Sequence, residues 1–437
     1  MPSLKRELNL WAVVLTSVGI ILGAGIYVLI GEAATLSGNL LWLSFVIASI
    51  VAALTGLSFA ELTSIFPRAG AAHYYTQKGF GYKAAFLVGW LVLAGGVVSI
   101  AVVSLGFGNY FNALFGFPIL SVALGLVFLT AIILISGVKQ SAWLGAFFAL
   151  IETGGLIAII LVGLPHVGEV NLLEMSNLGI GGVLSAAAVV FFAYIGFQEV
   201  APLAEETKNP TKVMPKAIIY SLIITTIIYV LVAITAVSVL GWETLGASGA
   251  PIADVASTAI GSSAFFVFSV IALFATANTV LLSAMTASRI LYGMSDTGNL
   301  PPIFSKVSAK FRTPWVAILT IGLLSSMFVL VEDMLVVTEI TNFTIFVTFI
   351  FVNLSLIVLR YKYSEIDRPF KVPLSIKKFP ILPALAILLT FAMMFSIKLN
   401  VLLVGLAIAS LGFVIGCLFK RFNLPSKEVR LPSKLIK

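Results

Sequence analysis

Apolar runs about twenty residues long recur along the whole chain, and no other feature constrains its fold as tightly. A helix rising 1.5 Å per residue needs about that many residues to cross ~30 Å of hydrocarbon. The runs fall approximately at 9–31, 40–60, 84–110, 118–136, 142–164, 181–203, 215–240, 262–292, 315–331, 336–359, 380–397 and 399–419. They predict twelve transmembrane helices, the last two separated only by Ile397-Lys398-Leu399-Asn400. Composition agrees: 60% of the 437 residues are hydrophobic and 10% charged. A soluble domain keeps roughly a quarter of its residues charged to wet its surface. The chain therefore reads as an all-α polytopic membrane protein. That excludes a soluble catalyst, a secreted disulfide scaffold and a nucleic-acid partner, despite a formal net charge of +8. The lone Cys417 can close no intramolecular disulfide. No cleavable signal is expected, because the first apolar run starts near Leu8 and is as long as a span.

An even number of spans puts both termini on one side, and basic residues then test the count. With the termini in the cytoplasm, 25 of the 26 Lys and Arg residues fall inside and only Lys398 lies outside. A wrong count would scatter them. The basic balance thus reflects topology and attraction to anionic lipid heads of a cell membrane.

With so few ionisable groups in the spans, backbone and small polar side chains must carry the chemistry. The first span contains Gly19-Ile20-Ile21-Leu22-Gly23-Ala24-Gly25-Ile26-Tyr27. The sixth contains Phe191-Phe192-Ala193-Tyr194-Ile195-Gly196-Phe197-Gln198-Glu199-Val200-Ala201-Pro202. Glycine costs a helix about 1 kcal/mol relative to alanine, and proline about 3. Breaks in two spans five apart suggest discontinuous helices whose freed amides and carbonyls line a buried site. The alternative is close helix packing through small residues.

The same residues resemble a known family. The run from Gly19 to Tyr27 is similar to the first-helix signature of the amino acid–polyamine–organocation superfamily. Phe66-Pro67-Arg68-Ala69-Gly70-Ala71-Ala72-His73-Tyr74-Tyr75 resembles its cytoplasmic motif, with Ala71 and His73 as departures. Tyr194-Ile195-Gly196-Phe197-Gln198, with Ala204-Glu205-Glu206-Thr207-Lys208-Asn209-Pro210, resembles its sixth-helix motif. Ser288-Arg289-Ile290-Leu291-Tyr292-Gly293-Met294 through Leu300-Pro301 resembles the motif after helix eight. The branch looks closest to the cationic-amino-acid-transporter-like permeases.

The resemblance implies a five-plus-five inverted-repeat fold with helices one and six broken around an amino acid. On this reading 1–165 and 180–360 are the two repeats, 379–420 holds spans eleven and twelve, and 421–437 is a cytoplasmic tail. Amides at Gly23, Ala24 and Gly25, at the positive end of a half-helix, suit a carboxylate. Carbonyls at Ile21, Phe192 and Ile195 would accept from the ammonium group. Ile20, Ala193 and Gly196 complete the two breaks, and a side chain at Gly25 is expected to abolish binding with folding nearly intact. Phe191, Phe192 and Tyr194 form an aromatic wall or ordinary packing; in the family an aromatic at the Phe192 position acts as a gate.

Gln198 stands where several cation carriers have an acid, which favours neutral amino acids of moderate breadth over cationic ones or polyamines. Glu199, one residue on, is turned by about 100° and expected toward the cytoplasmic half. For coupling, alignment on Phe147-Phe148 puts Thr153 where some proton-coupled relatives carry a lysine. Thr276, Asn278 and Thr279 offer hard oxygens for sodium or bond back to their own helix. Glu152 is the ionisable residue at mid-depth, where an unpaired charge costs several kcal/mol. Proton coupling through Glu152 is therefore preferred to sodium. His73 and His166 are isolated, so no metal or other cofactor is expected. Spans eleven and twelve could be a homodimer face or a lipid-facing buttress. A membrane-embedded enzyme would need a His, Asp or Cys cluster, and an amino acid sensor an output domain; neither is seen in the sequence.

Overall fold

A computed structural model describes residues 8–66, 71–137, 141–205 and 207–420. The expected tail 421–437, with Arg68 and Gly70 of the cytoplasmic motif and Glu206 of the sixth-helix motif, lies outside the described residues. The first expected span is two helices, α1 (Leu10–Leu22) and α2 (Gly25–Ser37), and α3 (Leu41–Ile65) follows after a single 3-10 turn. Next come α4 (Ala71–Phe80), α5 (Tyr82–Phe115), α6 (Ile119–Ser136) and α7 (Ser141–Gly163). The sixth expected span is also interrupted: α8 (Gly179–Tyr194) gives way to a 3-10 helix, Phe197–Glu205. Beyond it lie α9 (Pro210–Ala247), α10 (Pro251–Ile260), α11 (Ser263–Asp296), α12 (Trp315–Val329), α13 (Met334–Lys362), α14 (Ile381–Met394) and α15 (Leu399–Lys420).

Local chemistry sets several of these ends. The Asn9 side chain accepts from the Ala12 amide at 2.9 Å to start α1, and Asp333 accepts from Val336 at 3.0 Å to start α13. A glycine with φ 71° at Gly241 kinks α9. The short helices α4 and α10 lie outside the apolar runs. So does a two-residue antiparallel pair, β1 (Ser375–Ile376) with β2 (Phe379–Pro380), too small to alter the all-helical class. Length and composition alone give nine helical runs able to cross a membrane among the described residues, with α2 and α3 counted as one run. Twelve were expected. The shortfall arises because α2 and α3, which belong to two expected spans, count as one run, and because α12 and α14 are apolar but shorter than a full span.

Helices from the two halves of the chain interleave: α3 packs along α8 and α9, α5 along α11 and α13, and α6 against α12. Buried tyrosines tie these layers through their hydroxyls, which need partners where water is absent. Tyr194 donates to the Phe45 carbonyl at 3.1 Å, and Tyr110 to the Tyr27 carbonyl at 3.0 Å. Helix α15 lies outermost on α5 and α13, where Trp90 donates to the Ile408 carbonyl at 2.9 Å. Its other face exposes Leu403, Leu406, Leu411 and Phe413.

A buried ion cluster lies at the last turns of α3. Glu61 is fully buried. Its carboxylate accepts from Nε and Nη2 of Arg360, from Nη1 of Arg368 and from the Val372 amide. This ion cluster fastens the connection after α13 to the end of α3. Nearby in sequence, His73 of α4 lies 2.8 Å by Nδ1 from the Ala85 carbonyl, and burial pushes its pKa down.

Candidate functional site

The two helix interruptions meet. At the first, α1 ends at Gly23, whose φ of 0° and ψ of −176° no helix allows, and α2 starts two residues later. At the second, Ile195 is extended and Gly196 has φ 135°, a region that favours glycine. Glycine is needed at the crossing itself. A Cβ on Gly25 would lie 2.7 Å from the Ala193 Cα, and one on Gly196 would lie 3.0 Å from the Ile20 carbonyl oxygen. Gly25→Val would therefore force α2 away from α8, which corrects the expectation that folding would stay intact.

A cavity of about 290 Å³ occupies the space between the interruptions. Of the expected site residues, Ile20, Ile21, Gly23, Ala24, Gly25, Phe192, Ala193, Ile195, Gly196 and Gln198 line it, as do Glu152 and Thr279. Phe191 and Tyr194 do not. Phe191 packs on Phe346 and Phe349, and Tyr194 on Tyr229. Successive helix positions point about 100° apart, so one of three neighbouring aromatics faces the cavity and two serve the core. Thr153 and Thr276 are also absent from the lining, and the Thr276 hydroxyl donates back to the Ala272 carbonyl at 2.7 Å. Glu199 lines the cavity beside Gln198 rather than turning away from it. The segment there is a 3-10 helix after a left-handed glycine, to which regular α-helical spacing does not apply.

Several backbone groups at the breaks already have protein partners. The Ala24 amide donates to Thr279 Oγ1 at 3.1 Å, and that hydroxyl donates to the Ala275 carbonyl at 3.0 Å. The Tyr229 hydroxyl reaches both breaks, 2.8 Å from the Ile21 carbonyl oxygen and 2.9 Å from that of Ala193. The Phe192 carbonyl accepts from the Ile195 amide at 3.1 Å. Gln198 folds back so that its Oε1 accepts from the Gly196 amide at 3.0 Å. Each carbonyl keeps a second lone pair for a ligand.

Glu152, on α7, reaches the cavity while 1% exposed, and its Oε1 has no hydrogen-bond partner. Its backbone carbonyl accepts from the Tyr27 hydroxyl at 2.8 Å, which fixes α7 against α2. Asn278 also lines the cavity, with Oδ1 buried and unpartnered. Sequence reasoning missed Tyr229, although a tyrosine in an apolar span raises the question of its hydroxyl's partner. It also missed Val92 and Ser99 of α5, Ser283 and Thr286 of α11 and Thr341 of α13, which are among the other lining residues. Nothing in their local sequence sets them apart from other small residues in spans.

Fold and cavity together define a multi-pass membrane protein that encloses a small binding space between two interrupted helices. The comparison with known families agrees. The chain belongs to the amino acid permease family, whose model matches residues 8–430. It is 30% identical over 444 residues to the branched-chain amino acid permease BcaP of Bacillus subtilis (strain 168), covering 96% of this chain and 94% of the relative. Its identity to the methylthioribose transporter of the same organism is 30% over 393 residues, or 85% of each chain. Cationic amino acid transporter 4 of Mus musculus is 30% identical over 389 residues, 83% of this chain and 61% of that one. The family and these relatives are permeases and transporters, not enzymes.

Proposed function

We propose that the chain is a secondary active transporter that moves neutral amino acids across the cell membrane by alternating access, coupled to protons through Glu152. The observation that carries this reading is the cavity itself. It is closed in by both helix breaks and measures about 290 Å³, near the ~300 Å³ lower bound of small-ligand pockets. The amides flanking Ala24 hold the α-carboxylate at the start of α2, where the helix dipole favours negative charge. The second lone pairs of carbonyls at Ile21 and Ile195 take the ammonium group. Val92, Leu282 and Ile345 among the lining residues suit an aliphatic side chain, and Ser99, Ser283 and Thr286 suit small polar ones. The relative named for branched-chain amino acids supports this breadth.

Helix pairing supports a five-plus-five inverted repeat of twelve spans with both termini in the cytoplasm. With α1 and α2 taken as one span, the pairs α3–α9, α5–α11 and α6–α12 each join helices five spans apart. Proton coupling rests on a carboxyl that faces the cavity with its Oε1 unpartnered. No cationic side chain lies among the lining residues, and a proton is the smallest group that removes an unpaired charge. Sodium is disfavoured because Thr276 does not line the cavity and Thr279 Oγ1 already accepts from the Ala24 amide, which leaves Asn278 as the one free oxygen of the three.

A cationic substrate is the second reading. It is favoured by Glu152 and Glu199, the titratable groups among the lining residues, both of which are acids. Counterflow in proteoliposomes decides between them, with labelled leucine, alanine, lysine and putrescine, with and without pH or sodium gradients. Exchange of leucine and alanine, accelerated by a pH gradient, is expected. Lysine or putrescine exchange above leucine establishes the second reading, and no exchange of any of them overturns both.

A further inference from the structure

Outside the substrate cavity, a recess of about 250 Å³ lies at the start of α12. One wall is a row on α12 itself, Trp315, Leu319 and Leu323, spaced four apart and so on one face. The row is solvent-accessible throughout, rising from 40% at Trp315 to 68% at Leu323, and spans about 12 Å at 1.5 Å per residue. The facing wall is Ile303, from the short 3-10 helix after α11. Lys306, directly after that 3-10 helix, also lines the recess.

The recess is therefore lined by apolar side chains, by Thr320, whose hydroxyl donates to the Val316 carbonyl at 2.8 Å, and by one cation, Lys306. Lys310 and Arg312 lie in the same connection, and positions 297–331 contain no acidic residue. A tryptophan at the first turn of a spanning helix belongs at headgroup depth. The connection is also held in place: Thr313 donates to the Ile135 carbonyl at 2.8 Å, and the Arg312 amide donates to the Ser308 carbonyl at 2.9 Å. Lys306 thus stands on a backbone fastened to α6, the end of which this bond reaches.

We propose that this recess is a specific site for one anionic glycerophospholipid. The phosphate pairs with the Lys306 ammonium, the Trp315 ring sits against the glycerol region, and one acyl chain follows Leu319 and Leu323. Charge complementarity selects an anionic headgroup over a zwitterionic one, because the connection offers cations with no acid to repel it. The second wall, formed by Ile303 with Lys306, distinguishes a seated lipid from the general annulus that wets every outward helix face. Occupancy would brace the exit of α11, which supplies Thr279, Ser283 and Thr286 to the cavity, against α12.

Native mass spectrometry of the detergent-purified protein, titrated with dioleoylphosphatidylglycerol or dioleoylphosphatidylcholine, tests the assignment. One retained phosphatidylglycerol per chain is expected, well above phosphatidylcholine. Lys306→Gln should lower its occupancy about fivefold, the factor one basic side chain contributes at an anionic surface. Leu319→Trp should exclude the lipid by filling the recess without changing charge. Both positions are exposed, and counterflow in phosphatidylcholine liposomes confirms that each variant is folded. Equal retention of the two lipids by the wild type overturns the proposal. So does wild-type phosphatidylglycerol retention in either variant.

Discussion

Two buried glutamates show how one residue type can serve opposite ends. Glu61 is fully buried at the end of α3, and Glu152 is 1% exposed on α7. Both have lost water, yet only Glu61 has been given replacements: two guanidinium groups and a backbone amide surround its carboxylate. Glu152 has an orphaned Oε1 at the wall of a cavity. Burial of a charge is tolerated when pairing is complete and is costly when it is not. A complete cluster therefore reads as a fastening. An incomplete one beside a cavity reads as a site whose partner arrives from outside. Under the proposed function, that difference separates the structural carboxylate from the coupling one, and burial alone does not.

The contrast can be broken at four points. The largest effect is expected for Glu61→Gln, which leaves Arg360 and Arg368 short of their counter-charge. Removal of one partner of a buried pair costs about 3–5 kcal/mol, so thermal unfolding in detergent should fall sharply. An unshifted midpoint would show that the cluster fastens nothing. Tyr229→Phe comes next. It strips a hydroxyl from two buried carbonyls, those of Ile21 and Ala193, at about 1–3 kcal/mol. Stability and ligand affinity should both decline, since the same group ties the two breaks. Affinity lost with no change in midpoint would make Tyr229 a ligand contact rather than a tie.

Gln198→Glu adds to the cavity a third carboxyl, beside those of Glu152 and Glu199. A charge-assisted contact worth about 1.4 kcal/mol would shift the ratio of lysine to leucine exchange about tenfold. A ratio that stays put would mean the side chain spends its capacity on the Gly196 amide and never meets the substrate. The smallest effect on folding belongs to Glu152→Gln, within about 0.5–1 kcal/mol, because no protein partner is lost at Oε1. Its consequence should be confined to coupling: exchange of one amino acid for another continues, and accumulation driven by a pH gradient stops. Gradient-driven accumulation at the wild-type rate would place Glu152 with Glu61 as a structural residue.

Much of this organisation is legible in the chain before any coordinates. Apolar runs of spanning length fix a helical membrane protein, because unpaired backbone groups cannot face hydrocarbon. The glycines at Gly23 and Gly196 mark where helices must stop, since their dihedrals are local properties that the sequence itself limits. Glu152 stands out by the cost of its charge in an apolar run. Side-chain direction at a break is a different matter. Phe191 and Tyr194 were expected beside Phe192, yet they turn to the core, and Glu199 turns to the cavity. Helical spacing separates Phe191 and Tyr194 from Phe192 inside α8, but it gives no direction for Glu199, which lies beyond the end of that helix. The partners of polar groups are equally hidden. Thr279 capping Ala24 joins positions 255 residues apart, and Arg360 meets Glu61 across 299. No local pattern encodes such pairings. They follow from how the interleaved helices pack, so the sequence determined which segments cross and where they break, and tertiary structure alone decided which groups are left without a partner.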